Sequence, residues 1–157
     1  MSTFRLVGLD ADDFTPLFAM GDAELAALGA RRVTADKMPS YPCRVSLVDA
    51  EVGEELLLFA FEHLSARSPY RSGGAIYVRA GARPAQLAPG EIPPYVTRRL
   101  MSVRAYDADD MMVKAEVCEG ADVAPLLDRM LADEAVAFIH LHNAKRGCFS
   151  CRVERVG

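Results

Sequence analysis

Two regions of this chain alternate apolar and polar side chains around a short polar turn, and they constrain the fold more than any other feature. Residues 101–117 do so around the turn Asp107–Asp110, and residues 138–153 repeat the pattern around the turn 143–147. A period of two indicates strands with one buried face, and a short turn between two such strands indicates an antiparallel hairpin. The sequence therefore predicts at least two β-hairpins.

The other segments fit an antiparallel sheet with a few helices. Residues 56–61 are apolar on both faces and predict a central strand, whereas residues 43–47 alternate and predict a half-buried strand. Apolar residues at spacings of three and four predict an amphipathic helix over 122–132. Residues 80–93 are rich in Pro, Gly and Ala and predict a long surface loop. We expect an α+β fold with a largely antiparallel sheet, one face of which is covered by the N-terminal helices and helix 122–132.

Composition narrows the functional classes. A chain of 157 residues has the size of one domain, so we expect a single domain over residues 1–157. The net charge of −4 gives no reason to expect nucleic acid as a partner. The first ten residues lack a signal peptide's apolar stretch, and no segment approaches the roughly 18 apolar residues of a membrane span. We expect a cytoplasmic protein with no membrane partner, reduced cysteines and an oligomeric state that the sequence leaves open.

The C-terminal hairpin carries most of the reactive side chains, and burial should choose its register. A slip of one residue moves every side chain to the other face, so apolar residues meet only if His142 lies opposite Cys148 and His140 opposite Ser150. The side chains then expected to face the core are Ile139, Leu141, Phe149, Cys151 and Val153. Those expected on a polar face are His140, His142, Cys148, Ser150 and Arg152. Gly147 can supply a positive φ in the turn.

Cys148 and Cys151 form a C-x-x-C motif, which suggests a redox pair or half of a zinc site. On a strand, however, residues three apart point to opposite faces, so a disulfide or a shared metal is geometrically awkward. The chain has no second C-x-x-C with which to complete a four-cysteine site. We expect Cys148 on the polar face and Cys151 in the core, and Cys148 is the better candidate for a nucleophilic thiol.

A polar pocket for a small anionic molecule is the leading functional hypothesis. The residues that could supply its positive charge are Arg44, Arg71, Lys145 and Arg146. Those that could supply hydrogen bonds or a thiol are Tyr70, His140, His142, Asn143 and Cys148. Such a pocket would suit a binding protein or an enzyme, and the sequence identifies neither a catalytic residue nor a cofactor. The hypothesis requires that Arg44, Arg71 and His142 converge in space.

Two other hypotheses stay open. His140 and His142, at i and i+2 on a strand, can chelate a metal ion, with His63 as a third ligand. Alternatively, the chain is a non-enzymatic interaction domain whose loop 80–93 and turn 143–147 contact another protein through a shallow surface. The sequence lacks the common phosphate-binding, hydrolase-elbow and metalloprotease motifs, so none of these decides between the hypotheses.

Several short segments resemble a family of small bacterial proteins, labelled domain of unknown function 1203. The segments are Ala35–Lys37, Tyr41–Leu47, Gly53–Leu58, Pro69–Arg71 and His142–Cys148. The resemblance spans nearly the whole chain and implies a single-domain bacterial protein. It implies no reaction, cofactor or catalytic residue. Cys151 is not part of the family's pattern, which further weakens the redox interpretation of the C-x-x-C motif.

Overall fold

The computed structural model describes residues 3–157, so Met1 and Ser2 of the N-terminal segment discussed above lie outside the described part. The strands form two five-stranded sheets. In spatial order, sheet 1 contains β1 (Phe4–Val7), β10 (Phe149–Arg155), β9 (Phe138–Asn143), β7 (Leu100–Tyr106) and β8 (Met112–Glu119). Sheet 2 contains β2 (Arg31–Thr34), β5 (Glu55–Leu64), β6 (Ser72–Arg79), β3 (Pro42–Cys43) and β4 (Val48–Asp49). Neighbouring strands are antiparallel except β3 and β6, which confirms the α+β class with largely antiparallel pairing.

The helices of residues 3–157 are short. The α-helices are α1 (Thr15–Phe18), α2 (Asp22–Ala27), α3 (Pro94–Thr97) and α4 (Val123–Leu131). Two single 3-10 turns, Ala11–Asp13 and Gly120–Asp122, precede α1 and α4. Helix α4 confirms the predicted amphipathic helix, and its apolar side packs on one face of sheet 1. The prediction that the N-terminal helices cover the same face is wrong, because Leu17 and Leu25 pack instead with Phe59 and Ile76 of sheet 2. The chain crosses to sheet 2 directly after β1, where the Leu9 amide donates to the Arg44 carbonyl.

Both hairpins and the central strand are present, but the strand predicted over 43–47 is wrong. The chain turns over residues 44–47 between the two-residue strands β3 and β4, and Leu47 adopts a φ of 55°. The segment is nonetheless deeply buried, because Val45 packs in the core beside sheet 2 and Leu47 in the core beneath α4. The alternating apolar residues of 43–47 are thus buried in a turn and not in a strand. Loop 80–93 contains neither helix nor strand, as predicted, and its Leu87 packs against the core of sheet 1.

The two faces of sheet 1 have different surroundings. On one face, Ile139, Leu141 and Val153 are fully buried beneath α4, as the hairpin pattern predicted. The opposite face meets sheet 2, where the ring of Phe149 lies 6.4 Å from that of Phe61 between centroids. The face that the sequence marks as polar is therefore largely an interior face between two sheets and not a solvent-exposed one.

The predicted register of the C-terminal hairpin is wrong. His142 pairs with Phe149 and His140 with Arg152, because β10 contains a bulge between Phe149 and Cys151. An extra residue in one strand changes the face of the residues before it relative to those after it. Cys151 and Val153 therefore keep their predicted positions on the core face, whereas Phe149 lies on the same face as the histidines.

Two buried side chains from distant parts of the chain stabilise this bulge. The Nε of Arg44 donates to the Phe149 carbonyl at 2.7 Å, and the hydroxyl of Tyr95 donates to the Ser150 carbonyl at 2.9 Å. Both carbonyls lie where the bulge interrupts the pairing of β10 with β9. A buried carbonyl without a partner would cost about 1–3 kcal/mol, so these two bonds favour the bulged register over a regular one.

Candidate histidine site

All three histidines of the chain meet between the two sheets. His63 lies near the end of β5 in sheet 2, and His140 and His142 alternate along β9 in sheet 1. One ring nitrogen of each lies within 4.8 Å of the others. We call these three residues the histidine cluster. His140 and His142 are 2% and 1% exposed, so the cluster is part of the interior.

Aromatic rings hold the imidazoles in place. The ring of Phe149 is stacked on His63, with 5.2 Å between the centroids and 7° between the planes. The same phenyl ring meets His140 and His142 edge-on, at 5.0 and 5.8 Å. Tyr106 lies 5.4 Å from His140 on the other side. The bulge thus places a rigid apolar ring against all three histidines.

Most of the ring nitrogens have no partner among residues 3–157. Both nitrogens of His63, Nδ1 of His140 and Nε2 of His142 are buried and form no hydrogen bond. The Nδ1 of His142 is bonded to the Gly147 carbonyl at 2.9 Å. A carbonyl only accepts, so Nδ1 carries the proton and Nε2 presents a free lone pair. Gly147 has the predicted positive φ, at 78°, and this turn conformation directs its carbonyl to His142.

The surroundings hold the cluster in its neutral form. Burial, together with the charges of the other two histidines, Arg152 and Arg104, lowers the pKa of His140 to about 3. Burial also lowers the pKa of His142 to about 4, although the bond to Gly147 opposes the shift. The pKa of His63 falls for the same reason, with Arg104 adding to the effect. Neutral imidazole is the form that coordinates metal ions.

Two arginines border the cluster on sheet 1. Arg104 of β7 is the direct cross-strand neighbour of His140, and Arg152 of β10 is its neighbour on the other side. Arg152 lies over the ring of Phe138 at 4.2 Å and forms an ion pair with Glu154 at 3.2 Å. Arg104 donates from Nε to the Ser102 hydroxyl at 3.1 Å. The site therefore combines neutral ligands with adjacent positive charge.

The spacing of the cluster is close to that of a three-histidine metal centre. Zinc binds imidazole nitrogen at about 2.0–2.1 Å, which places tetrahedral ligands roughly 3.4 Å apart. Nitrogens that now lie up to 4.8 Å apart would have to approach one another by up to about 1.4 Å. Metal binding would therefore require the rings to rotate about their side-chain torsions, and the half-buried His63 is the least enclosed of the three.

The residues proposed for the anion pocket are dispersed around this site. Arg44 is buried, and its Nε and Nη1 bond to the carbonyls of Phe149 and Pro42. Arg71 is exposed and paired with Glu62 at 3.0 Å. Lys145 and Arg146 are exposed in the hairpin turn. Of the four cations in the hypothesis, only Arg44 lies in the interior beside the cluster.

The remaining polar candidates lie at the edges of the site. Tyr70 is exposed, and its ring lies 6.5 Å from that of Tyr106. Asn143 and Cys148 are half-buried, and the Asn143 amide approaches the Cys148 sulfur at 3.7 Å. Cys148 and Cys151 are free thiols; Cys148 is half-buried and Cys151 is buried. None of these side chains contributes to the group of close ring nitrogens.

Sequence reasoning missed two residues of this site, Arg104 and Phe149. The alternation of β7 shows that Arg104 lies on one face with Ser102, but nothing local shows that β7 pairs with β9. The sequence predicts Phe149 on the core face, because a regular strand without a bulge would place it there. His63 was named only as a possible third ligand, and the contact that brings it to β9 is one between two sheets.

A separate cleft of about 450 Å³ lies away from the histidines. Asp49 lines it, and the buried carboxylate of this residue is paired with Arg98 at 3.2 Å and with Arg99 at 2.5 Å. Glu51, Glu54 and Arg79 add further charges of both signs to its walls. Because these charges largely pair with one another, the cleft offers no comparable set of unpartnered ligand atoms.

The fold and the cluster define the class: an α+β protein of two packed sheets that encloses three neutral histidines. The family model described as protein of unknown function (DUF1203) matches residues 40–155, so the chain belongs to this family, which confirms the resemblance noted in the sequence. The match includes the three histidines and Arg104. No curated protein and no solved structure matches the chain. Within residues 3–157, no helix is long and apolar enough to cross a membrane.

Proposed function

We propose that this protein binds a divalent transition-metal ion of the Zn²⁺ class through His63, His140 and His142. The observation that carries the proposal is the group of buried ring nitrogens that have no partner in the described chain. A buried polar atom without a partner costs about 1–3 kcal/mol, and native structures contain few of them. A metal ion would take up these lone pairs and offset that cost.

The tautomer of His142 supports the same function. Metal-bound histidines usually donate their second ring nitrogen to a carbonyl or carboxylate, which fixes the ring and raises its basicity. His142 makes this bond to Gly147 with Nδ1, which leaves its buried Nε2 without a partner. Three neutral imidazoles with one open position form a ligand set that suits zinc or cobalt.

The test is metal analysis and titration of the purified protein. We expect about one Zn²⁺ per chain by native mass spectrometry, and calorimetric binding that weakens by about 10- to 100-fold or more when any one histidine is replaced by Gln. Cys148→Ser is the matched control, because this thiol borders the hairpin turn without belonging to the cluster, and it should leave zinc affinity unchanged. Full affinity in His140→Gln, or loss of zinc in Cys148→Ser, would contradict the proposal.

Binding of a small anion without a metal is the second candidate function. It is favoured by the positive charge of Arg104 and Arg152 beside the cluster. Arg44 and Arg71, which the sequence suggested for this role, already bond to carbonyls and to Glu62. Phosphate titration of chelator-treated protein separates the candidates, because only this second function predicts binding without added metal.

A cytoplasmic location and the interaction-domain alternative stay predictions.

A further inference from the structure

We propose that the metal ion takes a small oxyanion as its fourth ligand, and that a second oxygen of this anion is held by the guanidinium of Arg104. The inference rests on the proposed metal site and names the class of molecule that completes it. Carboxylates and phosphates both carry at least two oxygens on one central atom, so one oxygen can bind the metal while another accepts from a guanidinium N–H. The site would then select its ligand by charge and by the paired geometry of its oxygens.

The position of Arg104 is the first argument. Arg104 lies directly across from His140, and its neighbour Ser102 lies across from His142, so both project from the same face as the cluster. Ser102 receives the Arg104 Nε, and the Tyr106 hydroxyl also lies beside this guanidinium, so a ligand would share the two Nη groups with Tyr106. Among residues 3–157, no carboxylate lies within 4 Å of this guanidinium.

Charge balance is the second argument. A divalent ion held by three neutral ligands beside an arginine would create a strong positive potential in a site that is largely buried. The nearby acidic groups are already engaged: Glu62 is paired with Arg71 at 3.0 Å, and Glu154 with Arg152 at 3.2 Å. An anion that lies between the metal and Arg104 compensates both charges at once. An external oxyanion therefore completes the site more readily than a neutral ligand.

Access is the third argument. In β8, Ala115 pairs with Arg104 and Val117 with Ser102, so all four side chains lie on the face that carries the cluster. Both β8 residues are exposed, and Val117 is 63% exposed, which shows that sheet 2 does not cover this side. On the opposite side, Phe149 closes the cluster. A small molecule would therefore reach the metal across β7 and β8, past Arg104.

Cobalt provides the probe, because Co²⁺ replaces Zn²⁺ in such sites and its visible spectrum reports each change of ligand. Protein loaded with Co²⁺ is titrated with acetate, with phosphate and with neutral imidazole. We expect acetate or phosphate to shift the cobalt bands, with a Kd that rises at least 10-fold in Arg104→Gln and less in Arg104→Lys. Imidazole needs no counter-charge, so its Kd should change less than 3-fold in either variant. Arg129→Gln is the matched control, because this exposed arginine of α4 is paired with Glu116 on the opposite face of sheet 1, and it should change the anion Kd less than 3-fold.

Several results would overturn the inference. Anion affinity that is equal in wild type and Arg104→Gln, or cobalt bands that respond to imidazole but to neither anion, would remove the role of Arg104 while leaving the metal site intact. Equal anion binding by chelator-treated and metal-loaded protein would show that the anion does not bind the metal. Failure to form cobalt bands at all would overturn the metal site itself, and this outcome is recognisable before any anion is added.

Discussion

The two faces of sheet 1 show how one set of strands can serve stability on one side and chemistry on the other. Leu141 and His142 are neighbours on β9, and both are almost completely buried. Leu141 packs beneath α4 among apolar side chains, whereas His142 faces sheet 2 with an unpartnered nitrogen. Burial therefore has different effects on the two faces. On the first it stabilises the fold, and on the second it holds reactive groups neutral and out of water.

This difference suggests that the histidine face is maintained at a cost to stability. Native interiors rarely leave polar atoms without partners, and such departures concentrate at functional sites. The core beneath α4 is made of aliphatic, aromatic and sulfur-containing side chains.

Truncation of a buried side chain on the α4 face should lower the free energy of unfolding more than the other changes. Leu141→Ala removes buried methyl groups from a close-packed core, and we expect the free energy of unfolding to fall by about 2–5 kcal/mol. Chemical denaturation measures this loss. Zinc affinity at low temperature, where the variant remains folded, should stay within about threefold of wild type. A variant of wild-type stability would show that this face is not the main core.

Acid should destabilise the metal-free protein through the histidine face. The native pKa values of His140 and His142, about 3 and 4, lie below the value of about 6.5 expected in the unfolded chain. The unfolded chain therefore binds more protons below pH 6.5, so stability falls as the pH falls from about 6.5 toward 4. We expect a loss of about 2 kcal/mol per histidine between pH 7 and pH 5.

Denaturation at several pH values checks this window, in which most carboxylates stay ionised. His140→Gln provides the comparison, because it should remove about a third to a half of the pH dependence, the rest of which arises from His142 and His63. An unchanged slope in this variant would show that the acid sensitivity arises elsewhere.

An apolar replacement on the histidine face should not lower the free energy of unfolding, in contrast to truncation on the α4 face. His140→Leu removes an unpartnered buried nitrogen and keeps a similar volume, so we expect the metal-free protein to be unchanged or more stable by about 1 kcal/mol. Zinc binding should be lost in the same variant. A loss of stability as large as that of Leu141→Ala would show that the two faces do not differ in kind.

The smallest effect concerns thiol reactivity and changes no stability. Cys148 is half-buried, whereas Cys151 lies in the core, where burial raises its pKa to about 12. A thiolate is the reactive form, so Cys148 should be alkylated well before Cys151 in the native protein. Peptide mapping after brief alkylation gives the order. Labelling of Cys151 first would contradict the observed strand assignment.

The sequence determined the elements whose signals are local. The alternation of residues 101–117 and 138–153 identified both hairpins, and the spacing of apolar residues after Asp122 identified α4. It also placed Ile139, Leu141, Cys151 and Val153 in the core, because the side-chain period of a strand is set by its own backbone. The i, i+2 spacing of His140 and His142 put both on one face for the same reason.

Only the tertiary structure decided what that second face meets. The bulge that moves Phe149 onto the histidines depends on Arg44 and Tyr95, which are 105 and 55 residues away from the carbonyls they bind. The approach of His63 depends on the packing of two sheets, and the position of Arg104 on the pairing of β7 with β9. The residues next to a given position in the sequence do not identify such partners. These contacts form only when distant segments fold together and their buried polar groups find hydrogen-bond partners.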